Sequence, residues 1–246
     1  MSDGAVSAET VVALAAERGV LPSITDHVTT DAIASLKTPD EVADYLDVLE
    51  GLDVARGAEL CWHDRLWREL PDDLTARLTH RLGSLHQIWL PDGRLVSGFT
   101  SRLPDGVTAH DYLDALVTNA ERLTREMPVD ILAHPTLVPL PMRILPAEEL
   151  WTEAQEERLV DALYTAGIAF ELSNRYRCHE RLARRALDRG VRLALGSDGH
   201  AADQVANLTY PLVLAARIGA RPEELYDPLV HGSRTLEPPA RGAARR

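Results

Sequence analysis

Apolar and polar positions along the chain alternate between short apolar runs and longer amphipathic stretches. Residues 9–18 read as a helix closed by Gly19, a residue suited to the C′ position, and residues 20–25 as a strand. The pattern continues with a helix over 39–51, a strand over 54–60, a short helix over 71–79 and a strand over 82–89. A polar loop over 91–106, punctuated by Gly and Pro, leads to a long helix over 108–126, with Thr108 or Asp111 near its start, and a buried strand over 129–133. Residues 152–166 predict a helix, 168–172 a strand, 180–188 a helix and 191–195 a strand. The last helices are expected over 202–218 and 222–229. Near-continuous apolar strands that alternate with helices predict an α/β fold, with parallel strands covered by helices. A closed barrel and a doubly wound open sheet both satisfy this count of six strands.

Composition narrows the class. At 246 residues, 45% hydrophobic and 26% charged, the chain suits one soluble domain over residues 1–235, followed by a disordered basic tail over 236–246 that begins at Pro238-Pro239. It contains no apolar run long enough for a membrane span, and its first residues lack the basic and apolar regions of a secretory signal. Cys61 and Cys178 lie far apart and in no paired motif, which suits a reducing compartment; the expected location is the cytoplasm. A formal charge of −12 disfavours broad nucleic-acid binding. It leaves open a small phosphorylated substrate, because bound cations reverse the local field.

Chemistry-bearing residues then collect at strand ends. Asp26 and His27 follow the strand over 20–25, Glu59 ends the strand over 54–60, and His86 lies at the end of the strand that starts near Leu82. His134 follows the strand over 129–133, and Asp198 and His200 follow the one over 191–195. In a parallel barrel that is the face where active sites are built. Taken singly, each has a plainer reading: Glu59 as the partner of an arginine, Asp198 as a helix cap, a lone histidine as a structural residue. As a set they form a mixed imidazole and carboxylate donor group suited to Zn, Mn or Fe. Of the remaining histidines, His63 lies past a strand end, His179 is a weaker candidate ligand, and His80, His110 and His231 are expected to be solvated.

The motifs in order resemble the PHP (polymerase and histidinol phosphatase) domain. Ser2-Asp3-Gly4, Thr25-Asp26-His27, Gly57-Ala58-Glu59, Gly83-Ser84-Leu85-His86, Ala133-His134-Pro135 and Ser197-Asp198-Gly199-His200 carry the likeness over residues 2 to 207. The resemblance implies a distorted (β/α)7 TIM-like barrel and a metal-dependent phosphoesterase. Such an enzyme hydrolyses phosphomonoesters or phosphodiesters with metal-activated hydroxide, on two or three divalent ions. It implies that Glu59, His86 and His134 form one metal site, with Glu59 bridging to a second that holds Asp198. Asp3, His27 and His200 form a third, Asp198 and His200 are the nearest candidates for proton transfer, and Arg175 and Arg177 hold phosphate. The family's opening strand with its His-x-His is absent from this sequence, through a start at an internal methionine or a genuine truncation. Three rivals stand beside this reading. A metal-binding paralogue or regulatory module without turnover fits the missing motif, and a small-oligonucleotide exonuclease is a further subclass. An amidohydrolase usually adds a metal-bridging lysine, and the sole lysine here is Lys37, at a predicted helix entry.

Overall fold

Three of the long helices start just after a residue that caps them. In the computed structural model, which describes residues 6–30 and 36–232 apart from the side chain of Glu148, Thr38, Thr108 and Thr152 each cap a helix. Each threonine accepts a backbone N–H three residues on, and Glu41, Asp111 or Gln155 closes the reciprocal bond.

In chain order the elements are α1 (Ala8–Glu17), β1 (Ser23–Val28), α2 (Pro39–Glu50), β2 (Ala55–Cys61), α3 (Asp72–Thr75) and β3 (His80–Ser84). A small pair, β4 (Gln87–Trp89) and β5 (Leu95–Ser97), precedes α4 (Ala109–Glu126) and β6 (Ile131–Leu132). Then come α5 (Ala147–Leu150), α6 (Glu153–Ala166), β7 (Ala169–Ser173), α7 (Glu180–Arg189), β8 (Leu193–Gly196), α8 (Thr209–Ile218) and α9 (Pro228–His231). No described helix is long and apolar enough to cross a membrane.

The main sheet is parallel, in the order β1-β2-β3-β6-β7-β8, and curls into a half-barrel. Successive residues of a strand point to opposite faces, so the sheet supports two apolar layers. On the convex side Ile24, Val28, Ala58, Leu60 and Leu132 pack with the helices in the main core. On the concave side Leu82, Ile131, Ala133, Ala169 and Ala194 form a small cluster, with Tyr226 packed against it. The curl brings β1 and β8, the first and last strands of the sheet, to the same cavity, which α1 also lines.

Several predicted boundaries shift; the helix expected over 71–79 shortens to Asp72–Thr75, and the one expected over 222–229 breaks into a 3-10 turn, Pro222–Glu224, and the short helix Pro228–His231. The first strand starts later than expected, so Asp26 and His27 lie inside β1 rather than after it. The run over 82–89 splits: β3 pairs with β6 through Leu82 and Gly83, and after Leu85-His86 the chain leaves the sheet to make the β4–β5 hairpin. Its turn passes through Gly93 at φ 86°, a conformation that favours glycine. The helix expected over 202–218 begins only at Thr209. Residues 236–246, read as a tail, lie outside the described residues, as does Asp3.

Candidate metal centre

Register places the donors. His27 of β1 stands opposite Glu59 of β2, and Glu59 opposite Leu82 of β3. Glu59 therefore shares the concave face with Gly57 and Cys61, while His86 and His134 reach it from the loops just beyond β3 and β6. Glu59 Oε1 lies 3.1 Å from both His86 Nε2 and His134 Nε2, and the two nitrogens are 3.2 Å apart. All three residues are buried.

Electrostatics follow from that burial. Desolvation works to raise the Glu59 carboxyl, but the charge of His27 and the hydrogen bonds of His134 and His86 hold it well below the usual range. Burial likewise works against a charged His134, yet Glu59, Asp198 and Glu171 raise it to about 9. Burial dominates for His86, which is lowered, and for Glu171, raised to about 7. Asp198 is raised by burial, with Glu59 adding to it against His134, His200 and Arg175. Cys61 Sγ stands 3.2 Å from His86 Nδ1, on the side of the ring away from Glu59, and forms a second three-donor grouping with His27 and His86.

Backbone strain is stored here too. His134 and Asp198 are two of the three non-glycine residues with positive φ among the described residues, at 30° and 48°. The His134 N–H donates to Glu171 Oε2, a bond that helps fix the strained turn. Glu171 was not among the expected site residues, although it ends an apolar strand run as Glu59 does, and the strand-end rule would have found it. Gly196 of β8 gives it room, since a Cβ there would stand 1.8 Å from Glu171 Oε1.

The remaining expected residues form a looser half. His27 stacks obliquely on His86 and His200, at ring centroid distances of 5.1 and 6.1 Å. Asp198 Oδ1 is 3.4 Å from His200 Nδ1, and Arg175 Nη1 donates to the same nitrogen at 2.6 Å. Arg177 instead donates to the Asn174 carbonyl and lies over Tyr210. His179 is held by Glu156 at 2.6 Å. His80, expected to be solvated, is buried within the concave face, bonded to Ser23 and Thr79, because β3 begins two residues earlier than the apolar run suggests.

This half-barrel has a counterpart among solved structures. It superposes on histidinol phosphate phosphatase from Lactococcus lactis subsp. lactis Il1403, complexed with zinc, L-histidinol and phosphate, with a TM-score of 0.62. The sequences are 13% identical, over 89% of this chain and 90% of that one. That likeness establishes a shared fold. No family model matches the chain, and no curated protein matches it in sequence.

The donor set itself fits a divalent cation. Two imidazole nitrogens and a carboxylate oxygen converge on one point, a mixture suited to zinc, manganese or iron. Asp198 Oδ2 and His134 Nδ1 are buried beside it without a hydrogen-bond partner among the described residues, a cost that polar interiors seldom carry.

Proposed function

We propose that the chain is a metal-dependent phosphoesterase acting on a small phosphorylated substrate. The observation that carries this reading is the convergence of Glu59, His86 and His134 within 3.2 Å of one another at the C-terminal ends of three adjacent parallel strands. The fold shared with a zinc-containing phosphatase supports it.

Glu59, His86 and His134 would hold one cation, and His27, Asp198 and His200 would hold another with Glu59 facing both. Cations held there supply Lewis-acid charge that acidifies water and offsets the charge of phosphoryl oxygens. The chain's own groups do the rest. Glu171 keeps the His134 turn in place through the backbone N–H. Arg175, exposed and bonded to His200, presents a guanidinium to phosphoryl oxygens. Asp198 and His200, 3.4 Å apart, belong to this second donor set, and Arg175 orients the His200 ring through Nδ1.

Metal analysis combined with p-nitrophenyl phosphate hydrolysis tests the proposal. Wild type should retain zinc, lose turnover with a chelator and regain it with added metal, and His134→Ala should do none of these. Metal-independent turnover, or none under any metal, rejects it.

A further inference from the structure

Beside the metal centre lies a second cavity, about 550 Å³, between the loop after β6, α5 and the loop after β7. Its size is that of a ligand moiety. Its lining residues touch those of the metal centre. The Tyr176 ring meets His134 edge to face at 5.3 Å, and Arg175 lines the cavity while bonded to His200. A phosphate ester with its phosphoryl group at the cations would have this recess as the neighbouring space for the rest of the molecule.

The lining is one-signed. Arg143, Arg175 and Arg177 contribute to it and, among the described residues, no Asp or Glu does. This is unexpected in a chain with 38 acidic and 26 basic residues. Many arginines elsewhere pair with carboxylates, as Arg158 does with Glu121 and Arg189 with Asp161, although Arg18 and Arg56 are also held by carbonyls. Arg143, Arg175 and Arg177 have no carboxylate within ion-pair distance among the described residues. Neutral groups hold them instead. Arg143 donates from Nε to the Val138 carbonyl at 2.7 Å and from Nη2 to the Gly98 carbonyl at 2.9 Å. Arg177 donates to the Asn174 carbonyl and stacks on Tyr210. Guanidiniums fixed by carbonyls and rings keep their charge for a ligand. Glu156, behind His179, is itself matched by Arg181 and Arg185. Leu150 and Trp151 add an apolar wall.

We infer that the substrate is a phosphate ester whose alcohol part carries a second anionic group, seated between Arg143 and Arg177, on an apolar body. This rests on the phosphoesterase reading and sharpens it. It also separates this protein from its structural counterpart, because L-histidinol is an amino alcohol, cationic near neutrality, and the same guanidiniums repel it.

Calorimetric titration of the zinc-loaded full chain, with three non-hydrolysable probes, tests the assignment: phenylphosphonate, its 4-carboxy derivative and its 4-aminomethyl derivative. The carboxylate should bind about tenfold or more tightly than the parent, and the amine more weakly. The carboxylate-to-parent ratio should fall toward one in Arg143→Met and Arg177→Met, and Arg143→Lys, which keeps the charge, should retain more of it. Equal binding of the three probes, preference for the amine, or a ratio that survives both methionine substitutions overturns the inference while leaving the phosphoesterase reading intact. Failure of all three to bind overturns both.

Discussion

His80 and His134 are both buried histidines at the concave side of one sheet, yet their protons behave in opposite ways. His80, where β3 begins, is hydrogen-bonded to the hydroxyls of Ser23 and Thr79, and burial drives it down to about 4. His134, beyond the C-terminal end of β6, faces Glu59, with Asp198 and Glu171 nearby, and is raised to about 9. Burial is common to both; the buried carboxylate of the lower end, Asp130, is taken by Arg81, whereas Glu59 faces His134 directly. The lower end of the half-barrel is therefore a conventional interior, where a neutral imidazole is satisfied by hydroxyls. The upper end holds an imidazole among carboxylates that favour its charged form.

The largest effect should separate the two ends directly. Glu59→Gln removes the negative charge that both His86 and His134 face, and should weaken zinc binding roughly 1,000-fold, a single ligand's share of the free energy of a zinc site. His80→Gln should leave zinc affinity unchanged. Competition titration against a chromophoric chelator measures both, and similar losses would erase the distinction.

Proton linkage offers a second break. For His80 the folded value lies below the ordinary 6.5, so the unfolded state takes up the proton first and stability is lost as pH falls. Relative to His80→Gln, wild type should lose about 3 kcal/mol between pH 6.5 and about 4, at about 1.4 kcal/mol per pH unit. For His134 the folded value lies above 6.5, so its contribution is complete below that pH and disappears as pH rises. Relative to His134→Gln, the metal-free wild type should lose stability as pH rises from 6.5 toward about 9. Urea unfolding of each pair across pH reads this. Slopes of the same sign would show that the two interiors are not electrostatically distinct.

A smaller change should perturb the upper end through its support. Gly196→Ala drives a methyl into Glu171, which holds the strained His134 turn. Zinc affinity should drop about 10- to 100-fold, the range for groups that orient a ligand from behind. An unchanged affinity would remove Glu171 from the site.

Within the upper end, the centre and the edges of the sheet also differ. Glu59 belongs to a strand hydrogen-bonded on both sides, and its donors converge to 3.1 Å. His27 on β1, and Asp198 and His200 after β8, come from the first and last strands and sit farther apart. Strands fixed by two neighbours position a side chain more tightly than strands fixed by one.

Much of this was legible in the chain. Alternating apolar runs and capped amphipathic stretches specify parallel strands covered by helices, because each local pattern can bury its apolar face in only that way. Polar residues interrupting apolar strand ends marked Glu59, His86, His134, Asp198 and His200, since a carboxylate or imidazole there must find a partner. Other features needed the tertiary structure. Whether six strands lie flat or curl depends on packing between distant segments, and so does the juxtaposition of β1 with β8. His80 is buried only because of where β3 begins, and Glu171 joins the site only because Gly196, on the neighbouring strand, leaves space for it. Arg143 meets Arg177 in one recess although 33 intervening positions separate them in the sequence. Local sequence pattern determines which elements form. Long-range register and close approach decide which of their side chains share a site.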